Sequence, residues 1–147
     1  MKRRELVDWL GPTCRGPVEL RVPAVARHLV MVRMIAQSVA EQEGFDPDEV
    51  TDLVLAVDEA CASLVRASVP GAMLTCRLSV AFGTLRVEAS TTTVTDGIPS
   101  RHSFGWRMLD TVTDSLSAWR YEFDPQRGVD RVVHIDFAKQ AARRMAR

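Results

Sequence analysis

The sequence predicts an α+β domain: a single two-layer sandwich in which a mostly antiparallel sheet carries its helices on one face. Three observations predict it. Strand-like runs come in adjacent pairs around turn residues, residues 74–81 with 85–90 and residues 117–123 with 131–137. The helical periodicities stand in blocks between these pairs instead of alternating with single strands, which argues against a parallel sheet. The chain has 147 residues, 46% of them hydrophobic, which suits one core.

The elements follow in order. Residues 1–16 hold basic residues, two Gly and one Pro, and are expected to form a loosely tied arm. Pro17-Val18-Glu19-Leu20-Arg21-Val22 alternates as a half-buried strand does. Pro23 stands where a first-turn proline starts a helix. Val25, Leu29, Val32, Ile35, Ala36 and Val39 then recur at helical spacing until Gly44 ends the run. Asp46-Pro47-Asp48-Glu49 is a second helix start, a capping Asp followed by Pro and by Glu three residues on. That helix is expected to reach Ser68, before Pro70-Gly71. Phe82-Gly83-Thr84 closes the first hairpin, and residues 91–103 are expected to form a polar loop. Phe104, Met108, Leu109, Val112 and Leu116 space out a third helix, and Asp124-Pro125-Gln126-Arg127-Gly128 turns the second hairpin. The expected organisation is an arm over 1–16, one domain over 17–137 and a basic tail of helical propensity over 138–147.

Composition excludes several function classes. Nineteen Lys and Arg balance nineteen Asp and Glu, so there is no net field to attract a polyphosphate, and direct nucleic-acid binding is not expected. Cys14, Cys61 and Cys76 are an odd set without CxxC spacing, which suits a reducing compartment. No run approaches the roughly 18 apolar residues of a membrane span, and the basic start lacks an apolar segment after it. A cytoplasmic domain away from the membrane is expected. His28, His102 and His134 show no metal-ligand spacing with the cysteines.

The second helix carries the informative residues. Val50, Leu53, Val54, Val57, Ala60, Cys61 and Leu64 form one apolar stripe, with Cys61 an inert core thiol. The opposite face gathers Asp52, Leu55, Ala56, Glu59, Ser63 and Arg66, with Glu59 and Ser63 one turn apart. On spacing alone this is a solvated face with a Glu59–Arg66 charge balance.

Residues 51–64, TDLVLAVDEACASL, contain Ala56-Val57-Asp58-Glu59-Ala60, which follows an (A/V)VxEAxxNA pattern. The segment resembles the asparagine-box helix of RsbW-like anti-sigma factors, serine kinases of the GHKL (histidine-kinase-like) ATPase superfamily. The order of elements agrees from Leu20 to Phe137. The resemblance implies a Bergerat-like ATPase fold, with ATP and Mg as cofactors. It makes Glu59 the general base that readies a nucleophile near the γ-phosphate. Ser63 stands where the family has the Asn that holds Mg²⁺, a shorter and weaker ligand. The family's first glycine box, D-x-G-x-G, corresponds to Thr91-Thr92-Thr93-Val94-Thr95, with Asp96-Gly97 close by as a shifted candidate. The second appears as Ser103-Phe104-Gly105, and the lid between them is short.

These departures lead to the expectation that the protein-binding half of the family's function is kept and the nucleotide half eroded. The implied partners are an alternative sigma factor, which the chain sequesters as a homodimer, and a STAS-domain anti-anti-sigma factor that releases it. On the first helix the family's sigma-gripping arginine falls on Arg33, with Arg27 and His28 close by. Residues 18–22 would lie at the dimer edge. The alternative is an active Mg-ATP-dependent serine kinase that phosphorylates the STAS partner with Glu59 as base.

Overall fold

The computed structural model describes residues 14–93, 98–122 and 131–142 of the chain. The chain runs β1 (Cys14–Pro23), α1 (Leu29–Gln42), α2 (Pro47–Ala67), β2 (Met73–Ala81), β3 (Thr84–Thr93), α3 (Phe104–Val112), β4 (Ser115–Glu122) and β5 (Arg131–Gln140). The five strands form one sheet in the order β1-β2-β3-β5-β4, every pairing antiparallel. The expected α+β class and antiparallel sheet are what the chain adopts.

Local chemistry sets several boundaries. Asp46 accepts from the Glu49 amide at 2.9 Å, while the Glu49 carboxylate accepts from the Asp46 amide at 2.9 Å, a complete capping box. The other Glu49 oxygen accepts from the Ala142 amide, which ties the end of β5 to the start of α2. Phe82 and Gly83 both take positive φ, 53° and 76°, the twist that a two-residue hairpin turn requires.

Other boundaries differ from expectation. β1 begins at Cys14 with a register shift between Arg15 and Val18, so the strand takes the last three residues of the expected arm. Pro23 ends this strand opposite Met73 instead of opening a helix. The next amide, Ala24, donates to Ala72 at 2.9 Å, and the chain passes through a 3-10 turn, Ala26–His28, before α1 begins. Thr91, Thr92 and Thr93 belong to β3, opposite Val133, Val132 and Arg131, and not to a polar loop. Threonine suits a pleated strand, and here the buried hydroxyls find acceptors: Thr91 donates to the Met73 carbonyl at 2.8 Å and Thr93 to the Arg131 carbonyl at 3.5 Å. Leu116 lies in β4 opposite Phe137, because α3 ends at Val112, where the Thr113 hydroxyl bonds the Leu109 carbonyl at 2.7 Å. β5 continues through Ala138, Lys139 and Gln140, which removes these residues from the expected helical tail. Residues 143–147 and the turn at 124–128 lie outside the described residues.

The core lies between the helices and one face of the sheet. The predicted α2 stripe is buried at Val50, Leu53, Val57, Ala60, Cys61 and Leu64. It meets inward residues such as Leu78, Val87 and Phe137. Ala56, expected on the polar face, is fully buried, because α2 packs against α1 as well as the sheet and its buried arc is wider than the sheet-facing stripe. A hydrogen bond with Cys76, then burial, pushes the Cys61 thiol well above its ordinary range, so it stays protonated core packing.

On the opposite face of the sheet, Trp119 of β4 stacks on His134 of β5 with ring centroids 3.9 Å apart. Trp119 Nε1 donates to Asp136 at 2.8 Å. Burial lowers the His134 pKa against the opposing pull of Asp136 and Glu88. The unfolded chain therefore takes up this proton first, and the His134 contribution, complete above the ordinary value of 6.5, is lost as pH falls below it. Thermal melts at about pH 7.5 and about pH 5.5 should show a modest acid destabilisation that shrinks in His134→Gln; an equal drop in the variant would assign it elsewhere.

Candidate nucleotide pocket and partner face

The C-terminal half of α2 faces the start of α3. Glu59, Ser63 and Arg66 of α2, Pro99 and Ser100 of the approach, and Ser103, Gly105 and Trp106 of α3 line a cavity of about 200 Å³. The side chains already have internal partners. Ser103 caps α3, its Oγ accepting from the Trp106 amide at 3.1 Å and donating to the Ser100 carbonyl at 2.8 Å. Arg66 lies 3.4 Å from the Glu59 carboxylate, the charge balance that spacing suggests. Glu59 itself rests against Gly105: a Cβ built there would collide with Oε2 and come 2.6 Å from Cδ. A carboxylate therefore lies against the first turn of α3 at Gly105.

The expected partner residues sit elsewhere. Arg33 is in the second turn of α1, and its Nη1 donates to Asp58 of α2 at 2.6 Å. His28 Nδ1 lies 3.0 Å from the Pro23 carbonyl, so this ring is tied to its own chain, while Arg27 is exposed on the 3-10 turn. Residues 18–22 do lie on an edge strand, since β1 is terminal in the sheet. Among the described residues no helix is long and apolar enough to cross a membrane.

The family described as histidine kinase-like ATPase domain matches residues 22–127. The chain belongs to this family. It is 33% identical over 102 residues to the anti-sigma-F factor RsbW of Mycobacterium tuberculosis, an alignment covering 69% of this chain and 61% of that protein. It is also 33% identical over 49 residues to the serine-protein kinase RsbW of Bacillus cereus, covering 33% of this chain and 31% of that one. The crystal structure of the RsbU and RsbW domains of Rv1364c from Mycobacterium tuberculosis superimposes with a TM-score of 0.62 at 15% identity, covering 88% of this chain and 33% of that chain. This last likeness supports the fold alone. The chain thus spans under two thirds of the length of the relatives it matches.

The described residues of this histidine kinase-like domain do not fit ATP with Mg²⁺. The cavity beside Glu59 is smaller than the roughly 300–1,000 Å³ of ordinary small-molecule sites. The Glu59 carboxylate lies against Gly105 at the start of α3. The first-glycine-box threonines are strand residues, the hydroxyls of Thr91 and Thr93 bonded to backbone carbonyls. Ser63 lines the same cavity with a hydroxyl where the family pattern has an amide carbonyl. Asp96 and Gly97 lie outside the described residues. Sequence reasoning missed Asp58: it occupies an unspecified position of the pattern, and nothing local pairs it with an arginine 25 residues earlier.

The Glu59–Gly105 contact has a measurable consequence. Replacing a helical Gly by Ala usually gains about 0.5–1 kcal/mol, but here the methyl must evict the Glu59 carboxylate. Gly105→Ala should therefore stabilise the Glu59→Ala protein by about 0.5–1 kcal/mol more than it stabilises the wild type in denaturant titrations. Strict additivity would show that the two side chains do not compete.

Proposed function

We propose that this chain is an anti-sigma factor, a cytoplasmic homodimeric binding module that sequesters an alternative sigma factor and is relieved of it by a STAS-domain anti-anti-sigma protein. The observation that carries the reading is the contrast between two sites of one helix pair. Glu59 lies against Gly105 and pairs with Arg66 in a small cavity, whereas Arg33, held by Asp58, stands partly exposed on α1. Relatives with the same domain are named anti-sigma-F factor and serine-protein kinase, and the first of these names supports the partner class. An exposed guanidinium suits bidentate engagement of a partner carboxylate. No catalytic step is assigned to Glu59, because the pocket around it does not fit the nucleotide.

The test is calorimetry with the purified chain. ATP with Mg²⁺ should give no saturating heat at about 1 mM, a concentration at which even a weak site of −4.1 kcal/mol would be half filled. One of the alternative sigma factors of the source genome should bind with an affinity indifferent to ATP or ADP. Micromolar, Mg²⁺-dependent ATP binding with transfer to a STAS protein that stops in Glu59→Ala would replace this reading with the serine-kinase one.

A further inference from the structure

We infer that the open face of the sheet is where two copies of this chain meet, with Arg77 of each copy against Asp136 of the other. The inference rests on the homodimer of the reading above and names its surface.

Among the described residues the helices all pack on one face of the sheet, and the other face has no layer over it. Alternate residues point onto that open face, and the register sets them in rows across the strands. One row runs Glu19, Arg77, Glu88, Asp136, Ser117, and the next Arg21, Thr75, Ser90, His134, Trp119. The charges are not settled within the chain. Arg77 stands between Glu19 and Glu88 without an ion pair to either. Glu88 in turn stands directly opposite Asp136, a like-charge neighbour that costs stability in a sheet. Asp136 accepts from Trp119 Nε1 with one oxygen, and its Oδ1 has no hydrogen-bond partner. The Trp119 ring stays 43% exposed.

The strand order makes this face complementary to itself. β3 is central, so a two-fold axis running along β3 lays β2 of one copy over β5 of the other, and β1 over β4. Each row then faces the same row, which sets Arg77 over Asp136 of the second copy and Arg21 over its Trp119. The first contact brings a charged donor to a carboxylate that lacks one, and the second a guanidinium to an indole. Packed sheets lie about 10 Å apart, a gap that an arginine and an aspartate span together. A crossing of about 30° moves residues one strand from the axis by only about 2.5 Å. On the axis itself Arg86 and Glu88 lie two residues apart on β3, so Arg86 of each copy leans toward Glu88 of the other. Arg21, Arg77 and Arg86 balance Glu19, Glu88 and Asp136, so two copies approach without net repulsion. Five strands of about eight residues make a footprint of about 500 Å² per copy, close to the roughly 1,000 Å² in total that a specific interface needs.

Sedimentation of the full chain from about 1 to about 100 µM reads the result. The wild type is expected to dimerise with a midpoint on the order of 10 µM. Arg77→Glu and Asp136→Arg should each raise that midpoint at least about 10-fold. An equimolar mixture of the two variants should regain the wild-type midpoint, because in the mixed dimer each introduced charge meets its opposite and the two untouched residues meet each other. Asp136→Asn keeps an acceptor for Trp119 and should raise the midpoint about 5-fold; it takes the place of Asp136→Arg if melting curves show that variant unfolded. A dimer unchanged in Arg77→Glu and Asp136→Asn overturns the inference and leaves the homodimer to another surface, such as the β1 edge. Variants that dissociate but stay monomeric when mixed overturn the pairing of Arg77 with Asp136. A wild type still monomeric at about 100 µM removes this inference and the homodimer together, while sigma binding is read separately by calorimetry.

Discussion

Phe137→Ala should lower the unfolding free energy by about 3–5 kcal/mol, a large share of the roughly 5–15 kcal/mol that holds a domain together. Phe137 is 1% exposed and is the largest fully buried side chain among the described residues. It sits in β5 between Val87 of β3 and Leu116 of β4, the one strand that joins β4 to the rest of the sheet. Removing the ring leaves a cavity that paired strands on both sides cannot close. The denaturant midpoint should fall while the slope stays constant, the sign of lost stability without a change in the surface exposed. Phe104→Ala is the control: Phe104 opens α3 at 86% exposure, and its truncation should stay within about 0.5 kcal/mol. Similar losses at the two positions would contradict the placement of the core.

The second large effect concerns the partner face. If a partner carboxylate is gripped by Arg33, Arg33→Ala should weaken sigma binding by about 2 kcal/mol or more, roughly 30-fold, and Arg33→Lys should recover only part of it. In the free chain the guanidinium is held by Asp58 at 2.6 Å, with the two side chains 41% and 37% exposed. An ion pair this exposed contributes about 0–1 kcal/mol. A partner carboxylate has to displace Asp58, so Asp58→Asn should tighten binding by up to about 5-fold through the same small term. If Asp58→Asn weakens binding instead, Asp58 orients Arg33 and does not compete for it. Unchanged binding in Arg33→Ala would move the interface elsewhere.

Much of the fold was legible because its signals are local. The capping box at Asp46 and Glu49 joins residues three apart, and the Phe82-Gly83 turn is set by the backbone of two residues. The apolar stripe of α2 is periodic within a single helix, which is why its burial was predictable except at Val54, which is only partly buried, and at Ala56, which is buried outside the stripe. The Glu59 and Ser63 pair and the Gly105 helix start were legible as a family pattern, and they do share one pocket.

What failed depended on distant chain. Thr91, Thr92 and Thr93 read as a loop from their polarity; they are strand because β5, some forty residues later, supplies the opposite edge and the carbonyl that Thr93 needs. Pro23 read as a helix start and Leu116 as a helix residue because each suits a helix locally; pairing with Met73 and Phe137 outweighed that fit. The sequence by itself determined the α+β class, the starts of α2 and α3, the first turn and the residues able to fill a core. Only the tertiary structure decided that Glu59 lies against Gly105, that Arg33 is bound to Asp58, and that Met34 and Leu55 stay exposed on α1 and α2. Propensity and periodicity report forces between residues a few positions apart, whereas these contacts are made across the fold, where packing and not sequence distance sets which charges and surfaces meet.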